Sequence, residues 1–335
     1  MLKKTSVVTI TMVCLVFLFM NCENSFSKGK KYTIKLGHVE AEDRSAHRAA
    51  VEFKEYLAKQ SDGEIVVELY PNSILGGDNQ LTEAIATGTI QMGFPGTSAM
   101  TMYDTTWGVL DMPFLFDSAE ACFKALDGEL GKRLGETLKP QGIYLLGFNY
   151  NGARSVTNSK RPVNEPADLK GIKMRVVESP VFIDLFNTLG ANATPMNYSE
   201  LFTGLQQKTV DAQENCPSVV YTGKFYEVQK YYSLTEHVHS PYALIIGADF
   251  FDGLPKEYQA LVTKAAREIM IDKQRAMEIA DNEAFVGMLE KAGMEINYLS
   301  PENKAKFREA VQPMYKKYEK ELGTEIFDLA RKTAE

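Results

Sequence analysis

Hydrophobic and polar residues alternate in two different periods along the chain. Positions 32–36 alternate as a strand does, and the apolar positions from Ala46 to Leu57 recur at helical spacing. A second strand-like run at 65–70, a helical run at 81–87 and a third strand-like run at 90–94 follow. The order strand, helix, strand, helix, strand indicates crossover connections and a largely parallel sheet. We therefore predict an α/β fold.

The chain continues with further predicted helices and strands, and the predicted second lobe repeats the style of the first. The pattern predicts helices at 118–126, 129–138, 181–189 and 199–207, and strands at 144–150, 173–176, 210–214 and 242–247. We interpret the turn-rich segment 158–166 as a crossing between two lobes, and the strand at 242–247 as a return to the first. We expect residues 28–152 with 241–280 to form the first lobe, and residues 153–240 with 281–335 the second.

A long helix is predicted near the C-terminal end. Positions 256–292 contain no proline, which gives a helix of roughly 50 Å at 1.5 Å per residue. Its apolar stripe comprises Leu261, Ala265, Ile269, Ala276, Ala280, Met288 and Leu289. Because one lobe is narrower than this, we expect the helix to cross the back of both lobes. A strand at 294–298 and helices at 301–322 and 325–333 complete the prediction.

The first 27 residues have the features of a secretory signal peptide. Lys3 and Lys4 precede an apolar run at 7–20, and Ser25-Phe26-Ser27 is a small-x-small cleavage site. The run is shorter than the roughly 20 residues of a membrane-spanning helix, so we expect an exported, soluble protein. A lipoprotein anchored through Cys22 is the alternative. Of the four cysteines, Cys122 and Cys216 remain after cleavage, and two unpaired thiols are favoured over one disulfide.

Composition and motifs argue against nucleic-acid binding, catalysis and metal binding as functions of this chain. The net charge is −7, with scattered Lys and Arg residues, so no basic face is available for nucleic acid. The sequence contains no GxSxG, GxGxxG, P-loop or HExxH motif, and we expect no catalytic residue and no cofactor. His237 and His239 have no further His or Cys nearby, so no metal site is expected. A lyase or hydrolase acting on a small carboxylate in an inter-lobe cleft remains the alternative.

Three polar residues lie at the predicted ends of second-lobe strands: Arg154, Arg175 and Asn215. In open α/β sheets the carboxyl ends of strands face the ligand crevice. The planar guanidinium fork of an arginine matches a carboxylate with two hydrogen bonds. For either arginine taken alone, an ion pair with a nearby Asp or Glu is the competing interpretation. The pattern indicates a site for a small organic carboxylate.

Long blocks of the sequence resemble the binding proteins of tripartite ATP-independent periplasmic (TRAP) transporters, the DctP-like family. These blocks are IKLGHVEAEDRSAHRAAVEF, ELYPNSILGGDNQL, DLKGIKMRVVESPVF, LGANATPMNYSELFTGLQQKTVDAQEN and KFYEVQKYY. The resemblance implies a two-lobed, type II-like periplasmic-binding-protein fold with a long helix spanning both lobes. It also implies a periplasmic location, an organic-acid ligand, delivery to TRAP membrane permease subunits and no cofactor. We expect a monomer.

The same resemblance assigns roles to individual residues. Arg175 is the main carboxylate anchor, Arg154 a second positive contact, Asn215 a hydrogen-bonding residue and Tyr198 an aromatic contact. Ser179 belongs to the same strand end, and Asp78 and His38 are first-lobe residues of lower rank.

The sequence also departs from the family pattern. Glu178 stands where related proteins often have a neutral polar residue, which favours hydroxylated ligands. Hexuronates and aldonates therefore rank ahead of four-carbon dicarboxylates. Cys216 replaces the usual proline and Ala212 a glycine.

Overall fold

A computed structural model of the chain describes residues 30–332, so the predicted signal peptide and Cys22 lie outside the described residues. Within this range nine strands form one sheet. They are β1 (Tyr32–Gly37), β2 (Ile65–Tyr70), β3 (Met92–Gly93), β4 (Ile143–Asn158), β5 (Lys173–Val176), β6 (Asn192–Pro195), β7 (Ala212–Asn215), β8 (Tyr231–Gly247) and β9 (Glu295–Tyr298). The strand order is β2-β1-β3-β8-β4-β7-β5-β6, and β9 pairs with β8.

Parallel pairing occurs in both outer parts of the sheet and between β8 and β9. Strand β1 pairs in parallel with β2 and β3, and β5 pairs in parallel with β6 and β7. The central pairs β3–β8, β8–β4 and β4–β7 are antiparallel. The crossover units predicted from the sequence are therefore present, but the sheet as a whole is mixed.

Two long strands connect the halves of the sheet. Strands β4 and β8 run side by side from the Ile143–Gly247 pair to the Asn158–Tyr231 pair. We call the half with β1–β3 the first lobe and the half with β5–β7 the second lobe. The interpretation of segment 158–166 as the crossing is wrong, because this segment follows the second-lobe end of β4. The division of the chain into lobes by residue range stays a prediction.

Strand β8 begins eleven residues earlier than the 242–247 strand expected from the sequence. Its first half is polar, and the side chains of Ser233, Thr235 and His237 are buried there. Their polar groups have partners: Ser233 Oγ lies 2.7 Å from Asn297 Oδ1, and Thr235 Oγ1 lies 2.8 Å from His237 Nδ1. A hydrophobicity pattern does not detect a strand whose inward-facing residues are polar.

The described range contains thirteen α-helices. They are α1 (Ser45–Gln60), α2 (Asp78–Ala86), α3 (Ala119–Leu126), α4 (Glu129–Leu138), α5 (Pro180–Thr188), α6 (Tyr198–Gln206), α7 (Pro217–Thr222), α8 (Ala248–Asp252), α9 (Lys256–Ala265), α10 (Gln274–Lys291), α11 (Pro301–Ala310), α12 (Gln312–Leu322) and α13 (Thr324–Arg331). Short 3-10 helices occupy 97–102, 105–111, 139–141, 166–169 and 225–227. No helix among residues 30–332 is long and apolar enough to cross a membrane.

Helices α9 and α10 are continuous through a π-helical segment, Ala266–Lys273, and we call the whole of 256–291 the spine helix. Ile269 and Ile271 pack in the first-lobe core with β1 and α1, whereas Leu289 packs in a second-lobe core with Leu201. The spine helix therefore supports both lobes, as expected from its length.

The predicted apolar stripe of the spine helix is wrong between Ile269 and Leu289. Ala276, Ala280 and Met288 are exposed, and the buried residues of α10 are Gln274, Arg275, Glu278 and Leu289. A π-helical turn accommodates an extra residue and rotates the following helix relative to an α-helical projection. The face directed into the protein is consequently polar.

Both cysteines in the described range, Cys122 and Cys216, are buried and unpaired, which confirms the favoured prediction. Cys216 follows β7 and lies against β4 at Gly152. A Cβ atom at Gly152 would come within 2.6 Å of Cys216 Cβ, and this glycine has a φ of 123°. The glycine thus permits close approach of the second lobe to the middle of β4.

Candidate functional site

A cavity lies between the two lobes, at the carboxyl ends of β5 and β7. Its polar wall is formed by residues of both lobes and of the two connecting strands: Glu40, Asp78, Ser98, Asn151, Arg154, Arg175, Glu178, Asn197, Tyr198, Asn215 and Tyr242. Six of the eight residues proposed from the sequence therefore line one cavity. The two that do not are His38 and Ser179.

Arg175 is a buried cation without an ion-pair partner in the described part of the chain. Strand β5 ends one residue later, and the side chain is 3% exposed. Its Nε donates a 2.8 Å hydrogen bond to the carbonyl oxygen of Met196, which orients the guanidinium. Burial, together with the neighbouring Arg154, lowers the pKa of Arg175 to about 10. An anion bound in the cavity would relieve this desolvated charge.

Arg154, in contrast, is neutralised within the protein. Its Nε lies 2.5 Å from Glu214 Oε2, and its Nη2 lies 2.7 Å from Glu214 Oε1. His237 Nε2 is 3.3 Å from the same carboxylate. Although burial alone would raise it, Arg154 and His237 bring the pKa of Glu214 down to about 2. The competing interpretation of an internal ion pair therefore holds for Arg154 but not for Arg175.

Three further second-lobe residues complete this wall. The amide nitrogen of Asn215 donates to Gln213 Oε1 at 2.8 Å, which leaves its Oδ1 as an acceptor toward the cavity. Tyr198 is half-buried at the start of α6, and its ring packs edge-on against Phe225. Glu178 is exposed at the rim. The wall thus combines a cation, an amide, a phenol and a carboxylate.

Asp78 faces this wall from the first lobe. It is the first residue of α2, and its Oδ1 is buried without a hydrogen-bond partner among the described residues. Burial raises the pKa of Asp78 to about 6, against a hydrogen bond from the backbone of Gly96 that lowers it. An unsatisfied buried acceptor is costly unless a donor reaches it. A ligand hydroxyl would be such a donor.

His38 and Ser179 are turned away from the cavity. The ring of His38 stacks on Phe94 at 4.6 Å, and its Nε2 lies 3.1 Å from His47 Nδ1. Burial, with the adjacent His47, lowers the pKa of His38 to about 3. Ser179 donates to Asp111 Oδ2 at 2.7 Å. The structure gives both residues supporting positions, because His38 Nε2 and Ser179 Oγ are engaged inside the protein.

Several cavity residues are not singled out by the sequence pattern, above all Glu40, Asn151 and Tyr242. Glu40 is one of many acidic residues, Asn151 stands three positions before Arg154, and Tyr242 falls in the predicted strand at 242–247. The period-2 position of Tyr242 relative to Leu244 and Ile246 would have suggested a buried side chain, but nothing local shows which cavity it borders.

The lobes touch across the mouth of the cavity. A Cβ atom built on Gly77 would lie 2.2 Å from Asn197 Nδ2. The Asn197 side chain is itself fixed, because its Oδ1 accepts from the backbone nitrogen of Ser199 at 3.1 Å as the N-cap of α6. First-lobe backbone and second-lobe side chain therefore meet with no room for a further atom.

The described part of the chain, residues 30–332, contains no group of three or more His, Cys, Asp or Glu side chains that could hold a metal ion. His237 is engaged with Glu214, and His239 Nδ1 lies 2.6 Å from the Tyr150 hydroxyl. The cavity presents a cation opposite hydrogen-bond acceptors, which suits reversible binding of a hydroxylated anion.

Comparison with known proteins identifies the family. The profile of the DctP family, bacterial extracellular solute-binding proteins of family 7, matches residues 36–321. This chain belongs to that family. It is 37% identical over 264 residues to the 2,3-diketo-L-gulonate-binding periplasmic protein of Escherichia coli, covering 79% of this chain and 80% of that protein.

Solved structures of DctP-family proteins share the fold. The sugar acid binding protein of Advenella mimigardefordensis, in complex with galactonate, matches with a TM-score of 0.88 and 35% identity, covering 91% of this chain and 99% of that one. A TRAP periplasmic solute-binding protein of Shewanella oneidensis with bound succinate matches with a TM-score of 0.87 and 29% identity, covering 91% and 100%. The predicted family and two-lobed fold are confirmed, and the protein is a TRAP solute-binding protein.

Proposed function

We propose that this DctP-family protein captures a hydroxylated monocarboxylate, a sugar acid such as an aldonate or hexuronate, and delivers it to a TRAP membrane permease. The observation that carries this proposal is the unpaired, buried guanidinium of Arg175 on one cavity wall. A ligand carboxylate would form two charge-assisted hydrogen bonds with this fork.

The remainder of the cavity supports a ligand with one carboxylate and several hydroxyls. Asp78, Glu40 and Glu178 place three carboxylates on or beside the lining, and Arg154 is already paired with Glu214. Carboxylates accept hydrogen bonds from hydroxyls but repel a second anionic group. A four-carbon dicarboxylate would bring its second charge toward this acidic surface. The galactonate complex of the Advenella protein agrees with this preference.

Delivery requires closure of the lobes over the ligand. Hinge closure between rigid lobes is a common response of periplasmic binding proteins, and strands β4 and β8 connect the two halves of this sheet. The contact between Gly77 and Asn197 supports a closed arrangement as the form that a permease would receive. We propose a periplasmic, monomeric protein in this role.

A ligand panel tests the proposal. Galactonate, galacturonate, glucuronate, erythronate, 2,3-diketo-L-gulonate, malate and succinate are each added to the mature protein, and the melting temperature is recorded. A sugar acid present at about 100 times its Kd stabilises the folded state by about 2.7 kcal/mol. Stabilisation by succinate or malate alone would contradict the ligand class.

The enzyme alternative is tested with the same samples. Each stabilising compound is incubated with the protein and examined by NMR. A binding protein returns the compound unchanged, whereas a lyase or hydrolase would produce new resonances. Loss of the starting compound in proportion to protein concentration would overturn the proposed role as a binder.

A further inference from the structure

Arg44 lies just behind the cavity, outside its lining, and is one of the most deeply buried side chains of the protein. It precedes α1 and is 1% exposed. A buried guanidinium requires several partners to offset the loss of hydration. The partners of Arg44 come from four separate segments of the chain.

The contacts of Arg44 are short. Its Nε lies 2.8 Å from Glu40 Oε2, its Nη2 2.7 Å from Asn151 Oδ1 and 3.2 Å from Glu278 Oε1, and its Nη1 2.5 Å from Ser218 Oγ. Asn151 lies in the middle of β4, Ser218 in second-lobe helix α7, and Glu278 in the spine helix. One side chain therefore joins the first lobe, a connecting strand, the second lobe and the spine helix.

Glu40 links this cluster to the cavity. It lines the cavity wall, its Oε2 forms an ion pair with Arg44, and its Oε1 accepts a hydrogen bond from the hydroxyl of Tyr242. Because the carboxylate is held from both sides, its orientation at the wall depends on Arg44. Glu278, the residue of this cluster on the spine helix, is also constrained, since its Oε1 accepts a hydrogen bond from Ser218 Oγ at 2.5 Å.

Arg44 is the cation shared by two buried carboxylates. Glu40 is 4% exposed and Glu278 is fully buried, and Arg44 contacts both carboxylates. Without the arginine, two buried carboxylates would face each other with no cation between them. Such groups respond by taking up a proton or by moving toward solvent, and the nearest opening for Glu40 is the cavity itself.

We propose that Arg44 is a positioning residue of the binding cavity, which holds Glu40 in the wall and fastens that wall to the spine helix and the second lobe. The affinity for ligand then depends on a residue that the ligand does not touch. This inference rests on the proposed function of the cavity.

A double-mutant cycle tests whether Arg44 acts through Glu40. Arg44→Met, Glu40→Gln and the double variant are titrated by calorimetry with galactonate, or with whichever compound of the panel gives the largest thermal shift. We expect Arg44→Met to weaken binding about tenfold in the native background and by less than about twofold in the Glu40→Gln background, since neighbouring residues are not additive. Equal losses in both backgrounds would overturn the proposal.

Arg275 supplies a matched control. It is also a buried arginine, 5% exposed, but its partners are Asp127 and the carbonyl oxygen of Phe148, and none of these lines the cavity. Arg275→Met is expected to lower the melting temperature while leaving the affinity within about twofold of the native value. If Arg44→Met does not fold, Arg44→Lys retains the charge but lacks the fork and is used in the same cycle.

A ligand-free measurement separates failure of this inference from failure of the proposed function. Spin labels at the exposed positions Glu55 in α1 and Gln206 in α6 report the distance between lobes by double electron–electron resonance. We expect Arg44→Met or Arg44→Lys to broaden or lengthen this distance distribution, and Arg275→Met to leave it unchanged. An unaltered distribution in the folded Arg44 variants would overturn the proposal, whether or not a sugar acid binds.

Discussion

The two walls of the cavity differ in charge and in origin. The second-lobe wall presents Arg175 and Asn215 near the carboxyl ends of adjacent strands, whereas the first-lobe wall presents Glu40 and Asp78 from a loop and a helix start. Neither wall alone is suited to a sugar acid, which has an anionic group at one end and donors along its length. The comparison shows how closure brings a cation and several acceptors to opposite sides of one small ligand.

A second difference lies within the positive wall. Arg154 and Arg175 are the same residue type on neighbouring parts of the sheet, but only Arg154 has a buried carboxylate partner. A buried arginine with an ion-pair partner contributes to the stability of the fold, whereas a buried arginine without one can pair with a ligand. Substitution of each arginine separates these roles.

The largest effect is expected for Arg175→Met. Removal of the anchor leaves a desolvated ligand carboxylate without a partner, so binding should weaken by about 3–5 kcal/mol, a hundred- to several-thousand-fold loss. Because the unpaired charge no longer has to be buried, the melting temperature without ligand should not fall. Affinity close to that of the native protein in calorimetry would remove Arg175 from the site.

Arg154→Met should have its main effect on stability. The substitution leaves the carboxylate of Glu214 buried without its cation, which typically costs about 3–5 kcal/mol. Urea unfolding of the ligand-free protein measures this loss. The double variant Arg154→Met with Glu214→Gln should recover much of the stability, and a single variant as stable as the native protein would show that the ion pair is not structural.

Gly77→Ala tests the contact between the lobes at the mouth of the cavity. Its new methyl group would occupy the space of Asn197 Nδ2 in the closed form, so closure requires Asn197 to give up its cap of α6, at about 1 kcal/mol. We expect about a fivefold weaker affinity with an unchanged melting temperature in the absence of ligand.

Gly287→Ala in the spine helix is the control for this substitution, because a Cβ atom there meets nothing within 4 Å. It should leave the affinity unchanged and stabilise the helix slightly. Equal affinities of the two alanine variants would show that the mouth contact is not part of closure.

The smallest effect concerns pH. Burial raises the pKa of Asp78 from 3.8 to about 6 in the folded protein, so the folded state binds a proton more tightly than the unfolded state. The free energy of unfolding should therefore rise as the pH falls from about 6 toward 3.8. Asp78→Asn should remove this contribution, which chemical denaturation of both proteins at pH 7 and pH 5 would measure. An identical pH dependence in the variant would contradict the assigned burial.

Much of the architecture could be predicted from local sequence pattern. Periodicity located β1, β2, α1 and the spine helix, because an apolar face buried against one partner leaves a period of 2 or 3.6 residues. It failed where the buried face is polar, as in the first half of β8 and in α10, since polar residues that find partners inside the protein look solvent-exposed in a sequence. The resemblance to the DctP-like family also implied that Arg175 is the main carboxylate anchor.

The sequence by itself determined the family, most of the elements and the presence of arginines at strand ends. Only the tertiary structure decided which arginine is free, because the partner of Arg154 lies 60 residues away and reaches it through the antiparallel register of β4 and β7. It also decided that Glu40 borders the cavity while Arg44 lies behind it. These outcomes depend on contacts between distant segments, and local periodicity carries no information about the distance between two charges brought together by folding.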